Sequence, residues 1–80
     1  MKPDFGEAFY NRGMVKCNLE LFEAAIDDFS KAIQIIEDYP QAYIGRSFAY
    51  SELGRDLDSM EDFNKVFQLI TSSELKKLKS

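Results

Sequence analysis

Few side chains in this 80-residue chain could take part in chemistry. Cys17 is a potential nucleophile, and the pairs Asp27-Asp28 and Glu61-Asp62 are potential cation ligands. A nucleophilic thiol or hydroxyl needs a neighbouring base, and the chain has no histidine to build a Ser-His or Cys-His pair. It also has no glycine-rich phosphate loop. Adjacent residues on a helix diverge by about 100°, so neither carboxylate pair converges on one ion and both read as solvated acidic surface. Cys17 reads as a small helix residue; as a lone cysteine it forms no internal disulfide, which points to a reducing cytoplasm. An enzyme is therefore not expected, nor a bound metal or cofactor.

Charge and composition narrow the partners. Lys and Arg number 10 against 14 Asp and Glu, a net charge of −4, so a phosphate backbone is on average repelled and nucleic acid is not an expected partner. The imbalance sits in residues 1–70, with 7 basic and 13 acidic side chains, while the tail sets Lys76, Lys77 and Lys79 against Glu74. Lys2-Pro3-Asp4 leads into a polar segment without the apolar core of a signal peptide. No apolar run approaches the roughly 18 residues of a membrane span, because Gln34 and Gln68 interrupt the longest stretches. At 45% hydrophobic residues, with seven Phe and four Tyr, the chain carries enough apolar surface for one folded domain.

The elements that must position these residues repeat. A shift of 34 residues lays Asp28 on Asp62, Phe29 on Phe63, Lys31 on Lys65 and Gln34 on Gln68. The same shift lays Asp4 on Asp38, Ala8 on Ala42, Arg12 on Arg46 and Leu19 on Leu53. Ala25, Ile26, Phe29, Ala32, Ile33 and Ile36 recur at steps of 3 and 4, an amphipathic helix, and Met60, Phe63, Val66, Phe67 and Ile70 draw the same stripe one period later. Each unit is thus a helical hairpin.

Local signals set the boundaries near 5–19, 22–37, 40–53 and 57–71, with a short fifth helix after Ser72 or Ser73. Asp4 with Glu7, and Asp38 with Gln41, have the spacing of capping boxes, and Pro40 suits a first helical turn. Gly54 suits the left-handed residue that closes a helix, and Asp56 is placed to cap the next. In the first unit the closing turn falls on Asn18-Leu19-Glu20, where a left-handed Glu20 would cost up to about 1 kcal/mol.

These residues resemble the tetratricopeptide repeat family, a 34-residue helical hairpin with fixed aromatic and small positions. Phe9, Gly13, Ala25, Phe29 and Ala32 match in the first unit, and Tyr43, Ser47, Tyr50, Ser59, Phe63 and Val66 in the second. Gly13 or Ser47 facing Ala25 or Ser59 would let two backbones approach closely. Departures are Arg12 and Arg46 at the pattern's leucine, Lys16 at its tyrosine and Glu37 at its closing proline; Lys16 and Asp56 put helix packing in doubt at those two places. Pro3 stands one period before Glu37, as though an earlier repeat had just ended, so the chain reads either as a piece of a longer array or as a two-repeat protein.

The resemblance implies an all-α fold of antiparallel hairpins stacked as a right-handed α-solenoid. Repeat 1 would span about 5–38, repeat 2 about 39–72, and a capping segment 73–80. It also implies a concave groove for a partner peptide or helix, lined by the first helix of each pair. Carried over position by position, that groove presents Glu7, Tyr10, Asn11, Met14, Cys17 and Asn18, then Gln41, Ile44, Gly45, Phe48, Ser51 and Glu52. The alternative for Met14 and Phe48 is packing between adjacent hairpins. A clamp for a C-terminal carboxylate, a narrower activity of the family, finds only Asn11-Arg12 and is not expected. The expected function is a non-catalytic, cytoplasmic protein-binding module; the alternative is a self-associating scaffold, because two repeats leave the last hairpin uncovered on one side. A helix-turn-helix reader of DNA is disfavoured by the acidic charge.

Overall fold

The closing turn of each first helix shows how strongly the period governs the chain. The computed structural model describes residues 5–79. Four helices follow one another: α1 Phe5–Asn18, α2 Phe22–Ile35, α3 Pro40–Glu52 and α4 Asp56–Lys79. After α1, the Glu20 amide donates to the Cys17 carbonyl at 2.9 Å and the Leu21 amide to the Lys16 carbonyl at 2.8 Å. After α3, Gly54 donates to Ser51 at 3.0 Å and Arg55 to Tyr50 at 2.8 Å, the same pair of bonds one period later. Both turns need a left-handed residue: Gly54 supplies it at φ 76°, and Glu20 adopts it at φ 61° despite its Cβ.

Three sequence expectations about helix ends are corrected. Tyr39, not Asp38, is the N-cap of α3 and makes no side-chain capping bond, so the expected capping box does not form; Pro40 begins the helix as expected. Asp56 lies inside the first turn of α4, where it and Asp58 complement the helix dipole, while the Arg55 carbonyl accepts the Ser59 amide at the capping position. No fifth helix starts at Ser72 or Ser73, because α4 continues without a break to Lys79. Asp4 and Pro3, also read as signals, lie outside the described residues.

Packing is mainly sequential. α1 packs on α2, α2 on α3 and α3 on α4, with a smaller contact between α1 and α3; among the described residues α4 touches α3 alone. The four helices therefore form an open stack, not a closed bundle. Its centre is Phe29, fully buried, with Ala25, Ala32 and Ala42 around it. A Cβ built on Gly13 would lie 2.8 Å from the Phe29 ring, and one on Gly45 would lie 2.6 Å from it. The ring is wedged between the backbones of α1 and α3, which holds the two first helices side by side. In the second hairpin Ser47 replaces Gly13, and its hydroxyl lies 2.9 Å from the Ser59 hydroxyl and 3.2 Å from the Ser59 carbonyl oxygen.

The two apolar stripes have different fates. On α2, Ala25, Ile26, Phe29 and Ala32 are buried by α1 and α3. On α4, Val66 is buried, but Met60, Phe63, Phe67 and Ile70 are each more than half exposed. The sequence pattern is the same, and the difference is that, among the described residues, α4 has a neighbour on one side only.

Candidate binding groove

α1 and α3 lie next to one another because Phe29 fits between two glycines, and the surface between them is concave. The groove encloses about 380 Å³. Tyr10, Met14, Cys17 and Asn18 line it from α1, and Gln41, Ile44, Gly45 and Phe48 from α3. The eight come together because residues 3, 4 and 7 apart share a helix face. Eight of the sequence-predicted groove positions thus meet in one cavity. Glu7, Asn11, Ser51 and Glu52 do not line it: Glu7 and Asn11 are exposed on α1, and Ser51 and Glu52 are exposed at the end of α3. Ser51 instead borders a shallow depression with Ile44, Phe48 and Phe63.

The walls are partly held and partly open. Tyr10 packs on Phe29 and Tyr39, with ring centroids 5.9 and 5.3 Å apart, so it belongs to the core as well as to the groove. Phe48 meets Phe22 of the first hairpin edge-on at 6.1 Å, the inter-hairpin packing that was the alternative for this residue. That contact does not cover it, since 52% of its surface remains exposed. Met14 and Ile44 are likewise exposed. Cys17 is half-buried, and burial pushes its thiol pKa up, which favours the neutral, apolar form in the groove wall.

The strongest electrostatics lie on the far side of the first helices. Arg12 donates to both Asp28 carboxylate oxygens from Nε and Nη2 at 2.8 Å each. One period on, Arg46 does the same to Asp62, again at 2.8 Å twice. Asp28 is 1% exposed and Asp62 5%. The expectation of a solvated acidic surface is therefore wrong for these two residues, although their neighbours Asp27 and Glu61 are exposed. Desolvating a carboxylate is costly unless a well-aligned cation satisfies it, and a forked guanidinium does so bidentately. The signal was present in the repeat: Arg12 and Asp28 recur together as Arg46 and Asp62.

Lys16, flagged as a packing doubt, is the second cation on Asp28, with Nζ 3.0 Å away. Tyr50 holds the equivalent place in the second hairpin, where its ring lies against Arg46 at 5.8 Å and Arg55 at 4.8 Å. Arg12 and, second, Lys16 hold the Asp28 carboxyl below the usual carboxylate range against the opposing effect of burial. The Arg46 guanidinium is raised by Asp62. With Nε and Nη2 on Asp28, Arg12 has a structural role.

Among the described residues no helix is long and apolar enough to cross a membrane. The tetratricopeptide repeat family profile matches residues 6–39. Over 70 residues the chain is 31% identical to DnaJ homolog subfamily C member 7 of Mus musculus, covering 88% of this chain and 14% of that protein. The Homo sapiens protein of the same name is 30% identical over an equal length. UDP-N-acetylglucosamine–peptide N-acetylglucosaminyltransferase of Giardia intestinalis is 31% identical over 67 residues, 84% of this chain and 4% of the enzyme. The chain thus spans a small fraction of each relative, and no solved structure matches it. Helix order, the open stack and the matched profile agree that residues 6–39 form a tetratricopeptide repeat.

Proposed function

We propose that this chain is a non-catalytic, cytoplasmic protein-interaction module that receives apolar side chains of a partner peptide or helix between α1 and α3. The observation that carries this reading is an open groove walled by Met14, Ile44 and Phe48, three large apolar side chains left exposed on helices that Phe29 holds in fixed register. Exposed contiguous apolar surface favours contact with another polypeptide. A preorganised wall lowers the ordering cost of binding. Asn18 and Gln41 at the two ends offer amide donors and acceptors to a peptide backbone.

Selection from a random peptide display library tests this. The expected winners carry apolar residues at helical or extended spacing and shift the amide resonances of residues 10–18 and 41–48. Phe48→Ala is expected to weaken them at least about tenfold, as truncation of a central aromatic anchor does. Selected peptides that bind Phe48→Ala and Met14→Ala as tightly as the parent would refute the groove reading.

A second reading, a self-associating structural repeat, is favoured by a separate observation: the apolar face of α4 is uncovered.

A further inference from the structure

The α2–α3 contact is a worked example, inside this chain, of how a second helix of one hairpin receives the first helix of the next. It consists of Phe29 against Gly45, the Ser30 hydroxyl accepting from Arg46 Nη1 at 3.0 Å, and Ala32 beside a fully buried Ala42. One period forward, the donor face exists again on α4, where Phe63, Asn64 and Val66 replace Phe29, Ser30 and Ala32. One period back, the receiving face exists on α1, where Ala8 and Arg12 replace Ala42 and Arg46.

Among the described residues both faces are open, apart from Val66, which is already buried. Ala8 is exposed where Ala42 is fully buried, and the Arg12 side chain is 55% exposed where that of Arg46 is 20% exposed. Arg12 engages Asp28 through Nε and Nη2, whereas Arg46 uses those two nitrogens on Asp62 and a third on the preceding hairpin. Phe5, Ala8, Phe9 and Arg12 border a hollow of about 210 Å³ on that side of α1. Among the described residues nothing closes over the α4 face: α4 runs through to Lys79 where α2 ends at Ile35 and turns into α3.

We propose that the occupant of the α4 face is α1 of a second copy of this chain, stacked head to tail in the register of the α2–α3 contact. This deepens the self-associating reading and is independent of the groove reading. The two faces are different surfaces of one molecule, so the contact is heterologous and repeats from copy to copy without closing. Arg12 Nη1 of the second copy donates to Asn64 Oδ1, the acceptor that stands in Ser30's place. Asn11 of the second copy stands where Gly45 does, so the Phe63 ring must shift to clear its Cβ; it is held by no glycine on that side and is 62% exposed.

The stack also completes a site. In the groove between α1 and α3, positions 10, 14, 17 and 18 face positions 41, 44, 45 and 48. The same register between α3 and a second copy's α1 sets Ile44, Phe48, Ser51 and Glu52 opposite Glu7, Tyr10, Asn11 and Met14 of that copy. The four groove positions that a single chain leaves apart are thereby brought into one groove, Ser51 and Glu52 on one wall and Glu7 and Asn11 on the other. The depression beside Ile44, Phe48 and Ser51 is the open half of that second groove.

Sedimentation equilibrium on the whole chain, from micromolar to millimolar, tests the stack with two surface variants. Ala8→Arg spoils only the receiving face and Phe67→Asp only the donor face; both positions are exposed, and circular dichroism checks that each variant folds. The parent should grow in mass without a plateau, each variant alone should stay monomeric, and an equimolar mixture should stop at a dimer through its one intact pair of faces. A parent that is monomeric at millimolar concentration overturns the proposal. A closed dimer abolished by Phe67→Asp but indifferent to Ala8→Arg overturns it too, since that outcome is α4 packed on α4. A mixture of variants that stays monomeric also counts against it.

Discussion

Arg46 Nη1 donates to Ser30 Oγ at 3.0 Å while the other two donors of the same fork hold both oxygens of Asp62. One side chain therefore joins the first hairpin to the second and satisfies a buried carboxylate within the second. Arg46→Met leaves Asp62 buried without its partner and should destabilise the chain by about 3 kcal/mol, since removing one member of a buried pair strands the other. Ser30→Ala removes one hydrogen bond and should cost about 1 kcal/mol. Arg12→Met should cost less than Arg46→Met, because Lys16 remains on Asp28 and half of Arg12 is already in water. Urea denaturation of the three variants gives the order; equal losses at Arg12 and Arg46 would contradict it.

Phe29 and Gly45 make the second relationship that the fold depends on. Alanine at position 45 puts a methyl 2.6 Å from the tip of a fully buried ring that already presses on Gly13. Alanine is the better helix former by about 1 kcal/mol, but overpacking a wedged ring costs about 1–3 kcal/mol, so the net effect of Gly45→Ala should be destabilising. Phe29→Leu in the same chain should recover part of that loss, and a double-mutant cycle measures the coupling. Strict additivity of the two substitutions would mean that the ring is not what Gly45 accommodates.

The hairpins and their period were legible because each rests on a local signal repeated in two places, and the groove was expected from the family resemblance that those signals carry. Tyr10, Met14, Ile44 and Phe48 follow helical spacing, and spacing survives folding. What was not legible depended on which neighbour a residue finds. Asp28 and Asp62 look like surface charge in a linear chain and become buried because Arg12 and Arg46, sixteen residues earlier, fold over them. Phe63 and Phe67 look like core and are exposed because, among the described residues, α4 packs on α3 alone. Asp38 has capping spacing, but Tyr39 takes the cap position and brings its ring onto Tyr10.

Glu20 carries left-handed strain that Gly54, at the matching turn, does not. Glu20→Gly should relieve about 1 kcal/mol of Cβ conflict and lose part of it to the greater freedom of the unfolded chain. A net gain of a few tenths to about 1 kcal/mol is expected, read as a higher denaturation midpoint at unchanged slope. The reverse change, Gly54→Glu, meets no neighbouring atom at the new Cβ and should cost the conformational term alone, about 1 kcal/mol. A lower midpoint for Glu20→Gly would show that its side chain contributes more than its backbone costs.

Acid should unfold the chain partly through Asp28. Its carboxyl is held below the usual range by Arg12 and then Lys16, so the folded state binds that proton less readily than the unfolded chain, whose aspartates titrate near about 4. A group with a depressed folded-state pKa contributes stability that is fully present above the unfolded value and is lost as pH falls through the folded value. Stability at neutral pH should therefore include the Asp28 contribution and shed it below about pH 4. Asp28→Asn removes the titration: it should be less stable than the parent at pH 7 and should lose less on acidification, so that the two curves converge at low pH. Other carboxylates shift both curves alike, and the difference between them isolates this one group. Two parallel curves from pH 7 down to acid unfolding would mean that Arg12 and Lys16 leave the carboxyl no more acidic in the fold than out of it.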